Sequence, residues 1–292
     1  MLIRIGTRGS SLAVAQALEA KQRLLESFPN LSVEIVKIKT SGDKYANVNL
    51  AEIGGKGLFL REIEIELLEN NIDIAVHSLK DVPAFFSKDL KIPCVLERLS
   101  PYDAFISYKY DNLKALPQQA TIATSSIRRK VQLLNFRPDL NIVPLRGNVT
   151  TRLQNQNFDG IILAEAGLIR LKKHHFITEV LPPKVMLSAV GQGTVCIQCR
   201  KDDVKVIDLL EKINNNMSFI RAKSERSFMK TVNGSCFTPL AALAEYVSKN
   251  MLNLCCMLAD EKGIYFTERT SFVEDAEKMG IDAGLELKSK CL

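Results

Sequence analysis

No run of apolar residues in this 292-residue sequence approaches the roughly 18 needed to cross a bilayer. The opening stretch MLIRIGTRGS lacks the charged, apolar and small-residue zones of a secretory leader, so a cytoplasmic protein is expected. Seven cysteines, an odd number spread over this length, make no disulfide framework, which leaves reduced thiols as the default. Low-complexity tracts are absent as well, and 46% hydrophobic residues can bury cores for two or three domains. The net charge of +6 is mild. Lysine and arginine are not gathered into one dense patch interleaved with aromatics, so no nucleic-acid partner is expected. Arginines placed singly or in pairs among apolar segments suit a small anionic ligand better.

What is present is an alternation of strand and helix. LIRIGTR reads as a strand, and SSLAVAQALEAKQRLLESF has helical spacing with Ser10 or Ser11 as N-cap. VEIVKIKT, KGLFLREIEIELLENN and the apolar IDIAVHSL repeat the theme, implying a sheet of parallel strands covered on both faces. After the turn signal SPYD the pattern restarts with AFISY, TIATSS, IRRKVQLLNF, NIVPLRG and FDGIILAEAGL, a second α/β domain. LPPKVMLSAVGQGTVCIQCR is predicted as a long extended return crossing. A helix MSFIRAKSERSFMKTV, strands LAALAEYV, MLNLCCMLA and GIYFTERT, and a last helix from Val273 make a smaller α+β domain. The expected boundaries are 1–96 plus 188–213, 97–187 and 217–292.

Chemistry concentrates where strands end. HSLKD sets Lys80 and Asp81 at the carboxyl edge of a parallel sheet, where α/β folds bind ligands; a plain surface ion pair is the alternative. TSSIRRK puts Thr124, Ser125 and Ser126 at a strand-to-helix turn and Arg128 and Arg129 in the first helical turn. Cations there oppose the helix dipole, so a bound anion explains them better than the dipole does, a solvated face being the alternative. Arg8 in GTRGS, Arg146 and Arg152 in LRGNVTTRL, and Arg170 in GLIRL each follow a strand. One arginine–carboxylate pair contributes about 1.5–3 kcal/mol when partly desolvated, so this many arginines imply a ligand with many carboxylates. Cys236 stands in VNGSCFTP, a loop between two apolar segments.

The segments GTRGSSLA, GGKGLF, DIAVHSLKDVP, ATSSIRRK, LRGNVTTRL, AGLIRL, AVGQG and NGSCFTP, in this order, resemble the porphobilinogen deaminase (hydroxymethylbilane synthase) family from about Ile3 to the C-terminus. The resemblance implies an α/β fold with two domains like the lobes of type II periplasmic binding proteins, an active site in the cleft between them, and a smaller C-terminal α+β domain. It implies a monomeric transferase of haem biosynthesis that condenses four porphobilinogens head to tail, with loss of ammonia through azafulvenium-type cations, into the linear tetrapyrrole hydroxymethylbilane. The primer would be one dipyrromethane cofactor per chain, joined by a thioether to Cys236. Asp81 matches the catalytic carboxylate, with Lys80 expected to keep it ionised. Lys80, Thr124, Ser126, Arg128, Arg129 and Arg146 would hold cofactor carboxylates, and Arg8, Ser10, Arg152, Arg170 and Lys56 those of substrate. Two positions depart from the family: Glu52 stands where a lysine is common and Ser235 where a glycine is, the latter strained if its φ must be positive.

Other motifs have plainer readings. CIQC lies within a strand with no second pair at finger-like spacing, so a redox or metal site is not expected. GGKGLF lacks the Gly-Lys-Ser/Thr ending of a phosphate loop. Cys255 and Cys256 read as core residues, His174 and His175 as solvated, and His77 as a structural histidine. Glu165 in LAEAGL is a carboxylate near the expected polyacid site for which the sequence offers no reason.

Overall fold

The computed structural model describes residues 1–40, 60–235 and 237–291. The chain forms two compact units, Met1–Arg98 with Thr194–Phe219, and Leu99–Gly193 with Ile220–Leu292. In the first, β1 (Leu2–Arg8), α1 (Ser11–Ser27), β2 (Ser32–Ile38), α2 (Arg61–Leu68), β3 (Ile74–Ser78) and β4 (Leu90–Val95) come before the crossing. After the return, β10 (Val195–Arg200) and α6 (Val204–Ile213) complete it. Its sheet runs β2-β1-β3-β10-β4, with β1 parallel to β2 and β3, and β10 antiparallel to β3 and β4. Ile3, Ile5, Ile74, Val76, Val195 and Ile197 bury one face against Ala17, Ala20 and Leu24 of α1 and Val206 and Leu210 of α6.

The second unit opens with β5 (Asp103–Ile106), β6 (Thr121–Ala123), α3 (Ile127–Phe136), β7 (Asn141–Val143), α4 (Val149–Gln154), β8 (Gly160–Ala164), α5 (Glu165–Arg170) and β9 (Glu179–Leu181). Its five-stranded sheet, β7-β6-β8-β5-β9, has the same plan: parallel neighbours on one side and one antiparallel strand in fourth place. The two α/β sheets expected from the alternation are thus both present, with one topology. The same unit carries α7 (Asn216–Thr231, of which Ile220 onward belongs here), the antiparallel meander β11 (Leu240–Ser248), β12 (Met251–Ala259) and β13 (Ile264–Phe272), and α8 (Ala276–Lys290).

The stretch predicted as one extended crossing is not extended. Between β9 and β10 the chain turns repeatedly, with positive φ at Gly191 (70°) and Gly193 (87°). Periodicity cannot see this, because the turns are fixed by contacts from elsewhere: Gly191 N–H donates to the buried Glu225 carboxylate (2.7 Å), and Ala242 N–H donates to the Ser188 carbonyl (3.0 Å).

Helices α7 and α8 meet at two glycines. A Cβ on Gly280 would lie 2.2 Å from the Ser224 carbonyl oxygen, and one on Gly284 would lie 2.6 Å from the Thr231 Cβ. Backbone this close leaves no room for a side chain. Gly280→Val is therefore expected to lower the free energy of unfolding by about 1–3 kcal/mol or more, read by urea denaturation. Substitution at the exposed Glu274 next to the helix should change it by less than about 0.5 kcal/mol.

Candidate functional site

In the first unit the catalytic candidates stand on one turn. β3 is apolar because helices cover both its faces, α1 and α6 over Ile74 and Val76 and α2 over Ala75, and at its carboxyl end the chain closes a single 3-10 turn, Leu79–Asp81. Leu79 is buried and anchors the turn, its N–H donating to the Thr194 carbonyl (3.0 Å), while Asp81 is exposed and Lys80 half-buried. The preceding Ser78 is held by α1, whose Gln16 Nε2 donates to Ser78 Oγ (2.8 Å). Arg8 and Ser10 lie at the end of the neighbouring strand β1, both half-buried. Ser10 caps α1, its Oγ accepting from Ala13 N–H (3.3 Å), and its hydroxyl proton can still be donated.

Behind this edge sits His77. Gln198 Nε2 donates to Glu64 Oε1 (2.8 Å), which turns Gln198 Oε1 toward His77 Nε2 (3.2 Å), so that nitrogen carries the ring proton. Burial pushes the imidazole pKa down to about 4. Neutral, and bonded through its protonated nitrogen, it matches the structural histidine expected.

In the second unit Thr124, Ser126 and Arg146 follow strand ends, while Arg152 and Arg170 lie in the last turns of α4 and α5. β6 ends at Ala123; Thr124 is buried, and Ser126 caps α3 by accepting from Arg129 N–H (3.4 Å). Ser125 Oγ donates to the Leu145 carbonyl (2.7 Å), tying this turn to the one after β7. Arg146 is exposed beyond it. Gly147 takes φ 97°, and Arg152, from the last turn of α4, donates through Nε to the Gly147 carbonyl (2.7 Å). Arg170, at the end of α5, donates through NH1 to the Gly193 carbonyl (3.2 Å).

Arg128 and Arg129 have a carboxylate, but it belongs to the chain itself. They are 5% and 7% exposed, and both converge on Asp103, which is fully buried at the start of β5. Arg128 NH2 donates to Asp103 Oδ2 (2.7 Å), and Arg129 Nε and NH2 donate to Oδ1 (3.0 and 2.7 Å). Their NH1 groups donate to the Leu187 and Ile162 carbonyls (2.6 and 2.8 Å), and Gln192 Nε2 donates to Asp103 Oδ1 (3.1 Å). Burial lowers the Arg128 pKa, opposed by the charge of Asp103. The anion inferred from cations in a first helical turn is thus internal, and two guanidiniums against one carboxylate leave a net single positive charge beneath the turn. Sequence reasoning missed Asp103 and Gln192; the available signal was an acidic residue entering the apolar strand AFI.

The cysteine loop follows α7. Asn233 takes the left-handed conformation (φ 53°), and Gly234 N–H donates to the Met229 carbonyl (2.9 Å), closing the helix end. The positive φ falls on Asn233 and not on Ser235, so the serine adds no backbone strain there. Ser235 Oγ accepts from Phe237 N–H (3.2 Å), and Thr238 Oγ1 accepts from Ser235 N–H (3.0 Å). Cys236 itself lies outside the described residues, as do Lys56 and Glu52. The other cysteines are buried or half-buried: Cys196 and Cys199 both lie within β10, and burial raises Cys199 and Cys255 to about 11 and Cys94 and Cys256 upward as well. Thiols so raised stay protonated and unreactive. Among the described residues no cluster could hold a metal ion.

Residues 3–208 match the family model for the porphobilinogen deaminase dipyromethane cofactor binding domain, and residues 219–289 match that for the porphobilinogen deaminase C-terminal domain. The chain belongs to the porphobilinogen deaminase family. Within this family it is 86% identical, over all of both chains, to the porphobilinogen deaminase of Wolbachia sp. subsp. Drosophila simulans (strain wRi). It is 56% identical to that of Ehrlichia chaffeensis (strain ATCC CRL-10679 / Arkansas) over 98% of this chain and 97% of the relative. The solved methionine-binding protein MetQ overlays 77% of this chain and 94% of its own with a TM-score of 0.48 at 13% identity, too distant to bear on function. For a porphobilinogen deaminase, hydroxyl and guanidinium donors at the strand ends are the right chemistry for a cofactor and substrates rich in carboxylates.

The buried ion triad separates Arg128 and Arg129, which hold the fold, from the exposed Arg146. Asp103→Asn should lower unfolding stability by about 3–5 kcal/mol by leaving two buried guanidiniums without their counter-charge. Arg129→Leu should do the same for Asp103, whereas the exposed Arg146→Leu should stay within about 0.5 kcal/mol, all read by urea denaturation.

Proposed function

We propose that this chain condenses four porphobilinogens onto a dipyrromethane primer carried by Cys236, releasing ammonia and forming hydroxymethylbilane. The observation that carries this reading is the succession of two family models across almost the whole chain, the first of them a dipyrromethane-binding domain. We read its residues as three domains, 1–96 plus 188–213, 97–187 and 217–292, acting as a cytoplasmic monomer with porphobilinogen as its partner and no nucleic acid. The absence of any described helix long and apolar enough to cross a membrane is consistent with that setting.

When bound, the dipyrromethane would supply the free pyrrole α-carbon to which the first unit is joined, each later unit being joined to the ring before it. Everything else falls to the protein. Asp81 is exposed on a turn whose backbone is anchored at Leu79, which holds its carboxylate at the end of β3. Negative charge at that point stabilises a developing cation and can hold or pass a proton at the pyrrole nitrogen or leaving amine. Lys80, Thr124, Ser126 and Arg146 would hold cofactor carboxylates. Arg128 and Arg129 contribute from beneath, through the net positive charge they leave after neutralising Asp103. Arg8, Ser10, Arg152 and Lys56 would take substrate carboxylates, each new ring adding two.

Intact-protein mass and colour with acidic p-dimethylaminobenzaldehyde test the reading. Purified protein should carry a two-pyrrole adduct, mapped to Cys236 alone, and Cys236→Ser should carry none. An adduct on Cys94, Cys196 or Cys199, or active protein without an adduct, would sink the assignment. Asp81→Asn should load the cofactor and fold normally yet turn over at least ~100-fold more slowly, the usual scale for a positioned electrostatic or acid–base group. Near-normal turnover would move the chemistry to another residue.

A further inference from the structure

Glu165 and Arg170 stand at the two ends of α5, and each holds one of the first two of the three segments by which the chain passes between its units, the third being Phe219–Ile220 within α7. The first passage is at Arg98–Leu99 and the second at Gly193–Thr194. On the first, Ser100 Oγ donates to Glu165 Oε2, Tyr102 N–H donates back to Ser100 Oγ (3.3 Å), and Glu165 N–H donates to the Tyr102 carbonyl (3.1 Å). These three bonds close a ring around residues 100–102. On the second, the Gly193 carbonyl accepts both from Arg170 NH1 and from Leu99 N–H, each at 3.2 Å. The two segments touch backbone to backbone, since a Cβ on Gly193 would lie 2.6 Å from the Leu99 carbonyl oxygen and 2.7 Å from that of Ser100. With φ at 87°, only glycine suits that position.

The next residue makes this arrangement matter for the reaction. Thr194 follows Gly193 directly, and its carbonyl accepts from Leu79 N–H (3.0 Å), the anchor of the turn that presents Lys80 and Asp81. The carbonyl gripped by Arg170 and the carbonyl that fixes the Asp81 turn therefore belong to successive peptide groups, joined at the Thr194 Cα. We propose that Glu165 and Arg170 are positioning residues for Asp81, acting through the Gly193–Thr194 peptide. This also gives Glu165 a purpose. A free carboxylate would repel a polyacid, but one engaged by a serine hydroxyl and facing the backbone at the passage serves as an acceptor. It assigns Arg170 a role other than the substrate contact expected from the family resemblance.

The test uses full-length, cofactor-loaded protein and rests on the assignment of Asp81, but amide exchange reads the positioning without depending on turnover. Arg170→Met should speed hydrogen exchange at Leu79 and Leu99 about three- to tenfold, the scale of one lost hydrogen bond. It should lower kcat while KM stays within about twofold and the adduct on Cys236 remains. Arg170→Lys should recover part of both, because an ammonium still donates to a carbonyl although it cannot fork a carboxylate. Glu165→Ala should act like Arg170→Met, and Glu165→Gln, which keeps an acceptor for Ser100, like wild type. The double variant Ser100→Ala with Glu165→Ala should be no worse than either alone. Raised KM with wild-type exchange at Leu79 in Arg170→Met, and no rescue by lysine, would overturn the proposal and leave Arg170 a carboxylate ligand. If Arg170→Met fails to fold, the Glu165 series decides: wild-type exchange and kcat in Glu165→Ala, or additive losses in the double variant, would also overturn it.

Discussion

The second unit is organised around one buried carboxylate. Asp103 is fully buried at the first residue of β5, and it collects hydrogen bonds from Arg128, Arg129 and Gln192. A lone charge in that position would be prohibitive, so the three partners are obligatory once Asp103 is there. They come from two parts of the sequence, both distant from Asp103, and the bonds therefore fix where α3 begins, where β5 begins and how the turn at residues 191–193 is folded. The strand-end donors inherit their positions from this arrangement: Ser126 caps the helix that carries both arginines, and Ser125 ties that helix start to the loop bearing Arg146.

In the first unit the corresponding task falls to backbone. Asp81 is presented by a turn whose fixed point is an amide, Leu79 N–H on the Thr194 carbonyl, and whose preceding serine is bonded to Gln16 of α1. The exposed catalytic candidate thus rests on buried, satisfied neighbours, and His77 behind it is kept neutral by burial and aligned by Gln198. The charge that faces ligand and the hydrogen bonds that hold the scaffold are carried by different residues at this edge. In the second unit Arg128 and Arg129 belong to the scaffold, both buried and bonded to Asp103 and to backbone carbonyls.

Local features of the sequence made most of the architecture legible. Alternating apolar strands and amphipathic helices foretold both α/β sheets, and Ser10 was one of two serines readable as the cap of α1 because a hydroxyl just ahead of a helical stretch satisfies its open N–H groups. The place of Lys80 and Asp81 just past a buried strand was readable because a polar pair closes the apolar run IDIAVHSL. What stayed hidden depends on partners far along the chain. Nothing near Arg128 reveals that Asp103 neutralises it, and nothing in AVGQG reveals that Glu225 bends it. Ser235 looked like a strained replacement only because the left-handed residue of that loop, Asn233, stands two positions earlier.

The strand orders set a sequence of events during synthesis. In the first sheet β10 lies between β3 and β4, and among the described residues β4 has no other strand partner, yet β10 is made only after every strand from β5 to β9. A nascent chain emerging from the ribosome therefore carries β3 and β4 as open edges throughout the making of the second sheet. The second sheet has no such wait, because its own antiparallel strand, β5, is the first of its strands to appear. The later-synthesised α/β sheet can close before the earlier one, and the exposed edges of β3 and β4 are where a stalled or truncated chain would aggregate.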